Sequence, residues 1–428
     1  MAQPLRIALA GLGTVGTGVV KMIQTHSALL EQRAGRPIAI TAVSARSRTK
    51  DRGVDLSGYA WEDDPVALSR RDDVDLLVEV IGGEDGPAKA AVETALEQGK
   101  HVITANKAML AHHGQALAEL AESKGVSLRF EAAVAGGIPC VKALTEGLAG
   151  NEISRVMGVM NGTCNYILTQ MEDSGADYQD VLVDAQKLGY AEADPAFDVG
   201  GIDAAHKLSL LASTAFGTKV DFDGVTTEGI DKITLTDIQH AADMGFAIKL
   251  LGVARMNEDG LEQRMQPCLV PKSSPLGQLS GVTNMTVFEG DFVGQTVFSG
   301  PGAGEGATGS AILGDIMDIA RGFHIPSFGV PAKDLSQSKR SANGAPAPYY
   351  LRLSLADRPG TFAQAATMLG AHNISIDRMR QYDHAASEAP VTIVTHKTSR
   401  EDLDVALRAI DASDVSLASP VALRIEEL

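Results

Sequence analysis

Near the N-terminus a short apolar strand, L-R-I-A-L-A (Leu5–Ala10), runs straight into G-L-G-T-V-G, and that junction constrains the fold more than any other stretch. A strand without a polar face must be covered on both sides, as in a parallel sheet flanked by helices. Glycines 11, 13 and 16 follow the strand and lead into an apolar helix running from Val15 toward Leu30. In that context G-x-G-x-x-G gives a tight turn, close approach of a pyrophosphate to the backbone, and close helix–strand packing. Gly11, Gly13, Thr14, Val15 and Gly16 are the expected dinucleotide contacts. The alternative is a glycine-rich βα turn that binds nothing.

The βα alternation continues. A second strand at 38–43 ends in S-A-R-S-R. An NAD site usually places a carboxylate there, to accept from the ribose 2′-hydroxyl. Arg46 and Arg48 instead put cations where a 2′-phosphate would lie. That favours NADP(H), with NAD(H) as the alternative, unless both arginines are solvated surface groups. Further strands are expected at 74–81, 101–104 and 127–131, with a helix at 87–98. Asn106 and Lys107 follow the fourth strand, at the sheet edge where open α/β sheets bind ligands. A lysine opening a helix is opposed by the helix dipole, which marks Lys107 out. After Glu131, A-A-V-A-G-G-I-P reads as a tight turn before a helix at 141–148.

From Gly150 the pattern changes. A strand at 153–160 precedes N-G-T-C-N-Y-I-L, where Asn161 and Thr163 read equally as helix caps or as polar groups beside a substrate. Residues 185–207, A-Q-K-L-G-Y-A-E-A-D-P-A-F-D-V-G-G-I-D-A-A-H-K, carry the densest chemistry. Gly189 suits a helix C-terminus, an acidic loop holds Glu192, Asp194 and Asp198, and a new helix opens near Asp203. Asp203 and Lys207 are four apart and share a face. Buried, they would set each other's charge and poise Lys207 to handle a proton; exposed, they would be an ordinary weak ion pair. Short strands between 247 and 299 suggest a mixed sheet over the open face of the first unit. G-P-G-A-G at 300–304 then leads into a helix at 311–320. Residues 331–348 are polar, proline-bearing and without period, as a linker is. A βαββαβ order follows to the end of the chain.

The run A-x-x-x-G-Y-x-E-x-D-P-x-x-D-V-x-G-x-D-x-x-x-K is filled by Ala185, Gly189, Glu192, Asp194, Pro195, Asp198, Gly201, Asp203 and Lys207. It resembles the signature of homoserine dehydrogenase, and the likeness covers essentially the whole chain. The tail, with D-R-P-G at 357–360, resembles an ACT domain. The resemblance implies a monofunctional α/β enzyme. Its parts would be an NADP-binding Rossmann domain at 1–138, to which a helix at 303–322 returns, an α+β catalytic and dimerisation domain at 139–302, the linker, and an ACT-like regulatory domain at 349–428. It implies reversible reduction of L-aspartate 4-semialdehyde to L-homoserine, in threonine, methionine and isoleucine biosynthesis, with L-threonine as feedback effector. Lys207 is taken as the proton donor with Lys107 across the cleft, with Lys107 as the alternative donor, and Asp198 and Asp203 would engage the substrate amino group or orient Lys207. Gly189 and Glu192 would hold homoserine, and Lys107 and Gly304 would lie at the cofactor. Glu131 with the carbonyls of Val134, Gly136 and Ile138 would hold a sodium ion. Residues 357–360 with Asn373 and Ile374 would line the effector site. Ala307, Thr308 and Gly309 depart from the family's proline-threonine-alanine.

Composition removes other classes. A net charge of −17 opposes a nucleic-acid partner, which needs a basic face. No apolar run approaches membrane-spanning length, and three widely spaced cysteines show neither a disulfide framework nor zinc spacing. A cytoplasmic homodimer or homotetramer is expected. The competing reading is a catalytically silent sensor of amino acids and nucleotides, but a sensor needs no proton relay.

Overall fold

The computed structural model describes residues 2–192, 194–341, 344–382 and 388–427. Apolar strands alternating with helices build the first sheet: β1 (Leu5–Ala10), α1 (Thr14–Ala34), β2 (Ile38–Ser44), β3 (Ala60–Glu62), α2 (Pro65–Arg70), β4 (Leu76–Glu79), α3 (Pro87–Glu97), β5 (His101–Thr104), α4 (Lys107–Ser123) and β6 (Leu128–Arg129). The strands are parallel, in the order β3-β2-β1-β4-β5-β6. This is the doubly wound order of dinucleotide-binding sheets, whose ligands lie beyond the strands' carboxyl ends. Ile7 and Leu9 of β1 face a core with Val19 and Ile23 of α1, while Ala8 and Ala10 face another with Leu77, Val92 and Ala95. Both faces of the strand are thus buried, as its composition requires.

The middle of the chain supplies α5 (Cys140–Lys142), β7 (Ile153–Val159), α6 (Gly162–Ser174), α7 (Tyr178–Lys187), α8 (Ala196–Val199), α9 (Ile202–Phe216), β8 (Val225–Thr227), α10 (Leu235–Asp243), β9 (Phe246–Asn257), β10 (Gly260–Pro271), β11 (Thr283–Gly290), β12 (Gly294–Pro301) and α11 (Glu305–Arg321). Helix α11 crosses back to the first sheet, where Ile312 and Ile316 join the core of Val19 and Ile23. The last part is β13 (Tyr349–Ala356), α12 (Thr361–Ala371), β14 (Ile376–Gln381), β15 (Glu388–Thr395), α13 (Arg400–Asp411) and β16 (Ser416–Ile425).

All strands from β7 onward form one sheet, ordered β12-β11-β7-β9-β10-β16-β13-β15-β14, with β8 paired to β10. The join is the parallel pairing of β10 with β16 through Cys268↔Arg424 and Leu269↔Ile425. The stretch expected to be a linker, 331–348, is laid along this body. Lys219 N–H donates to Ser336 O, Leu261 N–H to Lys339 O and Ser341 N–H to Leu261 O, and Arg340 pairs with Asp221 at 2.5 Å. Residues 342 and 343 of that stretch lie outside the described residues.

Several expected elements change length for identifiable reasons. The helix expected at 141–148 is one turn, Cys140–Lys142, followed by a wider turn in which Leu148 N–H donates to Ala143 O. The strand expected at 127–131 stops at Arg129, because Glu131 begins a tight turn and its side chain accepts from the Val141 and Lys142 amides. Asp198, expected in a loop, sits in the single helical turn α8. Among the described residues no helix is long and apolar enough to cross a membrane.

Candidate active site

A cavity of about 610 Å³ opens between the carboxyl edge of the first sheet and the second sheet. Three helix starts aim side chains into it. Lys107 is the first residue of α4, behind Asn106, whose side chain caps Met109 N–H and donates to Gly83 O at 2.6 Å. Asn161 caps α6, and α9 begins after Gly201, whose φ of +82° suits glycine and turns the chain so that Asp203 and Lys207 face inward. The cavity is also lined by Val15 after the glycine turn, by Gly189 and Tyr190 after α7, by Asp198, and by Gly304 before α11.

At its centre is a bridged pair of lysines. Asp203 accepts from Lys207 Nζ at 2.7 Å and pairs with Lys107 Nζ at 2.9 Å. Lys207 also donates to Met160 O at 2.8 Å. Asp203 is 7% and Lys207 9% exposed, so the i,i+4 pair is buried and not a surface ion pair. Burial would raise the Asp203 carboxyl, but the ammonium groups of Lys207 and Lys107 outweigh it and hold the group well below the usual carboxylate range. Asn161 does two jobs at once. Its Oδ1 caps Cys164 N–H while Nδ2 donates to Asp198 at 2.9 Å and to Asp203 at 3.2 Å. Burial raises the Asp198 carboxyl, and the nearby charge of Asp203 adds to that against the Asn161 hydrogen bond. Thr163 donates to Tyr190 O at 2.6 Å, tying α6 to the loop beyond α7. Two ammonium groups and two carboxylates, shielded from bulk water on one side of the cavity, can polarise a carbonyl oxygen and deliver a proton to it.

The family of the chain is decided by comparison with known proteins. The homoserine dehydrogenase family matches residues 139–317, the homoserine dehydrogenase NAD-binding domain matches 11–131, and the ACT domain matches 349–414. The homoserine dehydrogenase of Neisseria gonorrhoeae is 42% identical, covering 100% of this chain and 99% of that protein. That of Pseudomonas aeruginosa is 39% identical over 100% of both. The crystal structure of a homoserine dehydrogenase from Thiobacillus denitrificans superposes with a TM-score of 0.94, at 38% identity over 99% of each chain. The chain belongs to the homoserine dehydrogenase family. It is an oxidoreductase with a nicotinamide-cofactor domain and a C-terminal ACT domain.

Of the remaining expected residues Val134 also lines the cavity, and the others fall outside it. Gly11, Gly13 and Gly16 form the turn behind Val15. Gly16 lies so close to Gly11 O that a Cβ would sit 2.0 Å from it, whereas a Cβ on Gly13 would meet nothing within 4 Å. With no side chain capping α1, its first amides and the open face at Gly13 suit a pyrophosphate. Thr14 opens α1. Arg46 and Arg48 are exposed beyond β2, Arg48 lying 6.0 Å from the Trp61 ring. Glu192 is exposed; its backbone carbonyl accepts from Gln186, and its side chain does not line the cavity.

Glu131 is 2% exposed. Burial and the charge of Asp315 raise its carboxyl to about 7, although each oxygen accepts a backbone N–H. A buried carboxylate in a turn with the carbonyls of Val134, Gly136 and Ile138 is a donor set of hard oxygens, which fits a hard cation. One lone pair of Ile138 O is already taken by Cys140 N–H. Among the described residues no group of three or more His, Cys, Asp or Glu side chains is arranged to hold a metal.

Sequence reading passed over three structural residues. Glu79, fully buried at the end of β4, accepts from Thr104 Oγ1 and from the Ile81 and Gly82 amides, shaping the loop that Asn106 grips. A lone acid in an apolar strand was the available signal. Arg52 donates to Leu12 O at 3.0 Å and to Ser47 O at 2.6 Å, fastening the arginine loop to the glycine turn. Asp315 of α11 accepts from Glu131 N–H and pairs with Lys142 at 3.2 Å, and Lys142 also pairs with Asp318. Nothing local to 315 points to partners so distant in sequence.

Proposed function

We propose that this cavity reduces L-aspartate 4-semialdehyde reversibly to L-homoserine with NADP(H). The observation that carries the reading is the Lys107–Asp203–Lys207 bridge, its Asp203–Lys207 half buried, beside Val15 and Gly304, at the sheet edge where the nicotinamide end of a cofactor would lie. Bound reduced nicotinamide supplies the hydride for the aldehyde carbon. Lys207 gives the developing alkoxide its proton, and Lys107 stabilises the charge from the other side of Asp203. Asp203 holds both ammonium groups in place. Asp198, with one oxygen on Asn161, engages the substrate amino group, and Gly189 and Glu192 complete the substrate site by family resemblance. For Glu192 this requires its exposed side chain to turn inward.

Arg46 and Arg48, with no carboxylate at the end of β2, support preference for the 2′-phosphorylated cofactor. Glu131 with the carbonyls of Val134, Gly136 and Ile138 would hold a sodium ion that fixes the turn leading to α5. The ACT domain would bind L-threonine at 357–360 and Asn373–Ile374, in a homodimeric or homotetrameric enzyme. The domain division at 138, 302 and 331–348 and a cytoplasmic location belong to the same reading. Steady-state turnover of L-aspartate 4-semialdehyde with NADPH and with NADH, with and without L-threonine, tests it. Lys207→Ala is expected to lower kcat by ~100-fold or more while NADPH binding is kept. Wild-type kcat in that variant, with Lys107→Ala inactive, would move the proton to Lys107.

A further inference from the structure

A second cavity, of about 540 Å³, lies at the seam between β10 and the ACT helix α13, away from the catalytic cavity. Its size is that of a small-ligand pocket. Arg264 of β10 forms part of its wall and is 8% exposed. Two of its nitrogens are spoken for: Nε pairs with Glu262 at 3.0 Å and Nη2 with Glu426 at 2.6 Å. Its Nη1 is buried and has no hydrogen-bond partner among the described residues. A guanidinium in that state is costly unless an acceptor reaches it. On the facing wall α13 presents Arg400, which pairs with Asp404 at 2.8 Å, and the exposed Arg408.

We propose that this seam is a binding site for a small zwitterionic α-amino acid, distinct from the catalytic cavity and from the ACT loops. The lining carries both signs. Arg264 and Arg408 can take a carboxylate, and Glu228 and Glu401 an ammonium group. A polyanion such as a nucleotide would meet those carboxylates and be repelled. A ligand without an acceptor would leave Arg264 Nη1 unpaired.

The seam also has a direct route to the chemistry. Thr226 and Glu228 line it, and the same strand segment backs the catalytic turn. A Cβ on Gly201 would lie 3.3 Å from both Thr227 Cγ2 and Met265 Cγ. Glu228 N–H donates to Met265 O at 2.8 Å, and Ile230 N–H donates to Val199 O at 2.9 Å. Segment 225–230 is therefore clamped between the seam and the turn that aims Asp198 and Asp203. An amino acid bridging β10 to α13 would bind better to one arrangement of that segment than to another, which is what coupling requires.

The test is calorimetric titration of the full-length protein with each proteinogenic L-amino acid, and with inorganic phosphate, followed by hydrogen–deuterium exchange on any complex found. Binding is expected from at least one amino acid, with protection at 224–228 and 400–408. Arg408→Glu lies on an exposed helix face and should leave basal turnover unchanged while weakening that binding about tenfold, the worth of one charge-assisted hydrogen bond. Arg264→Gln should abolish it, and Arg408→Glu keeps the question answerable if that variant does not fold. The proposal is overturned if no amino acid binds or only phosphate does. It is equally overturned if, for every amino acid that binds, protection maps only to 357–360 and 373–374 or to the catalytic cavity, or if affinity ignores Arg408→Glu. Calorimetry needs no turnover, so failure of the hydride-transfer reading would leave this result standing by itself.

Discussion

Asp203→Asn keeps the shape of the side chain and removes the one charge that Lys107 and Lys207 share. In the native site its oxygens take Lys107 at 2.9 Å and Lys207 at 2.7 Å, and Asn161 reaches one of them at 3.2 Å. An amide offers one acceptor and one donor, so one lysine keeps a weaker hydrogen bond and the other faces an N–H. Breaking a fully buried ion pair costs about 3–5 kcal/mol. The Lys107 side chain is 30% exposed and can rehydrate, which brings the expected loss to about 2–4 kcal/mol. The pH dependence has a definite sign. A carboxyl held below its unfolded value contributes stability that is present above about pH 4 and lost as pH falls further. The gap between native protein and variant should therefore be widest at neutral pH and narrow toward about pH 3. Turnover should fall as well, because Lys207 loses the carboxylate that orients it. Urea unfolding at the two pH values and kcat/KM against pH measure both effects. A stability gap unchanged by pH, or a less stable variant with native kcat, would refute this account of Asp203.

Arg46→Glu combined with Arg48→Glu should lower the NADPH-to-NADH ratio of specificity constants, since a carboxylate repels a 2′-phosphate and accepts from a free ribose hydroxyl; an unchanged ratio would mean that neither arginine reads the phosphate. Sodium, compared with choline at equal ionic strength, should raise Tm more as pH rises through about 7, because only the ionised Glu131 binds a cation without first losing a proton, and Glu131→Gln should remove that difference. Threonine inhibition is best tested by Asn373→Gly, which keeps the residue's φ of +58° and removes the amide; turnover should be native and the threonine response lost, and an unchanged response would put the effector elsewhere.

The fold of the nucleotide half was legible because each signal in it is local. An apolar strand, a glycine turn and a helix report themselves within a few residues, and so does the pair Asp203 and Lys207 on one helix face. What local pattern could not supply was the company each residue keeps. Lys107 reaches Asp203 from nearly a hundred positions away, and only the assembled sheet edge brings it there. Asn161 was readable as a cap or as a substrate-side group, and the structure gives it both contacts at once, one from each end of the same amide.

Strand β10 shows the limit most clearly, and it decides how the ACT domain can be studied. Its run E-Q-R-M-Q at 262–266 is mostly polar, and the sequence alone marks no element there. Instead Glu262, Arg264 and Gln266 are all under 10% exposed, because β16 pairs alongside and Glu426 meets Arg264 and Arg155. Cutting the chain after Pro331, which linker composition alone would recommend, removes Glu426 and Arg424 together. It strands Arg264 beside Glu262 alone, bares the β10 edge, and takes away Tyr350 and Leu423, which pack in the core shared with β9 and α9. A truncated enzyme should then lose stability or associate through the open edge whether or not the ACT domain senses anything. Lost threonine response in such a protein would say nothing about an effector site, so the domain's role has to be read from point variants in the intact sheet.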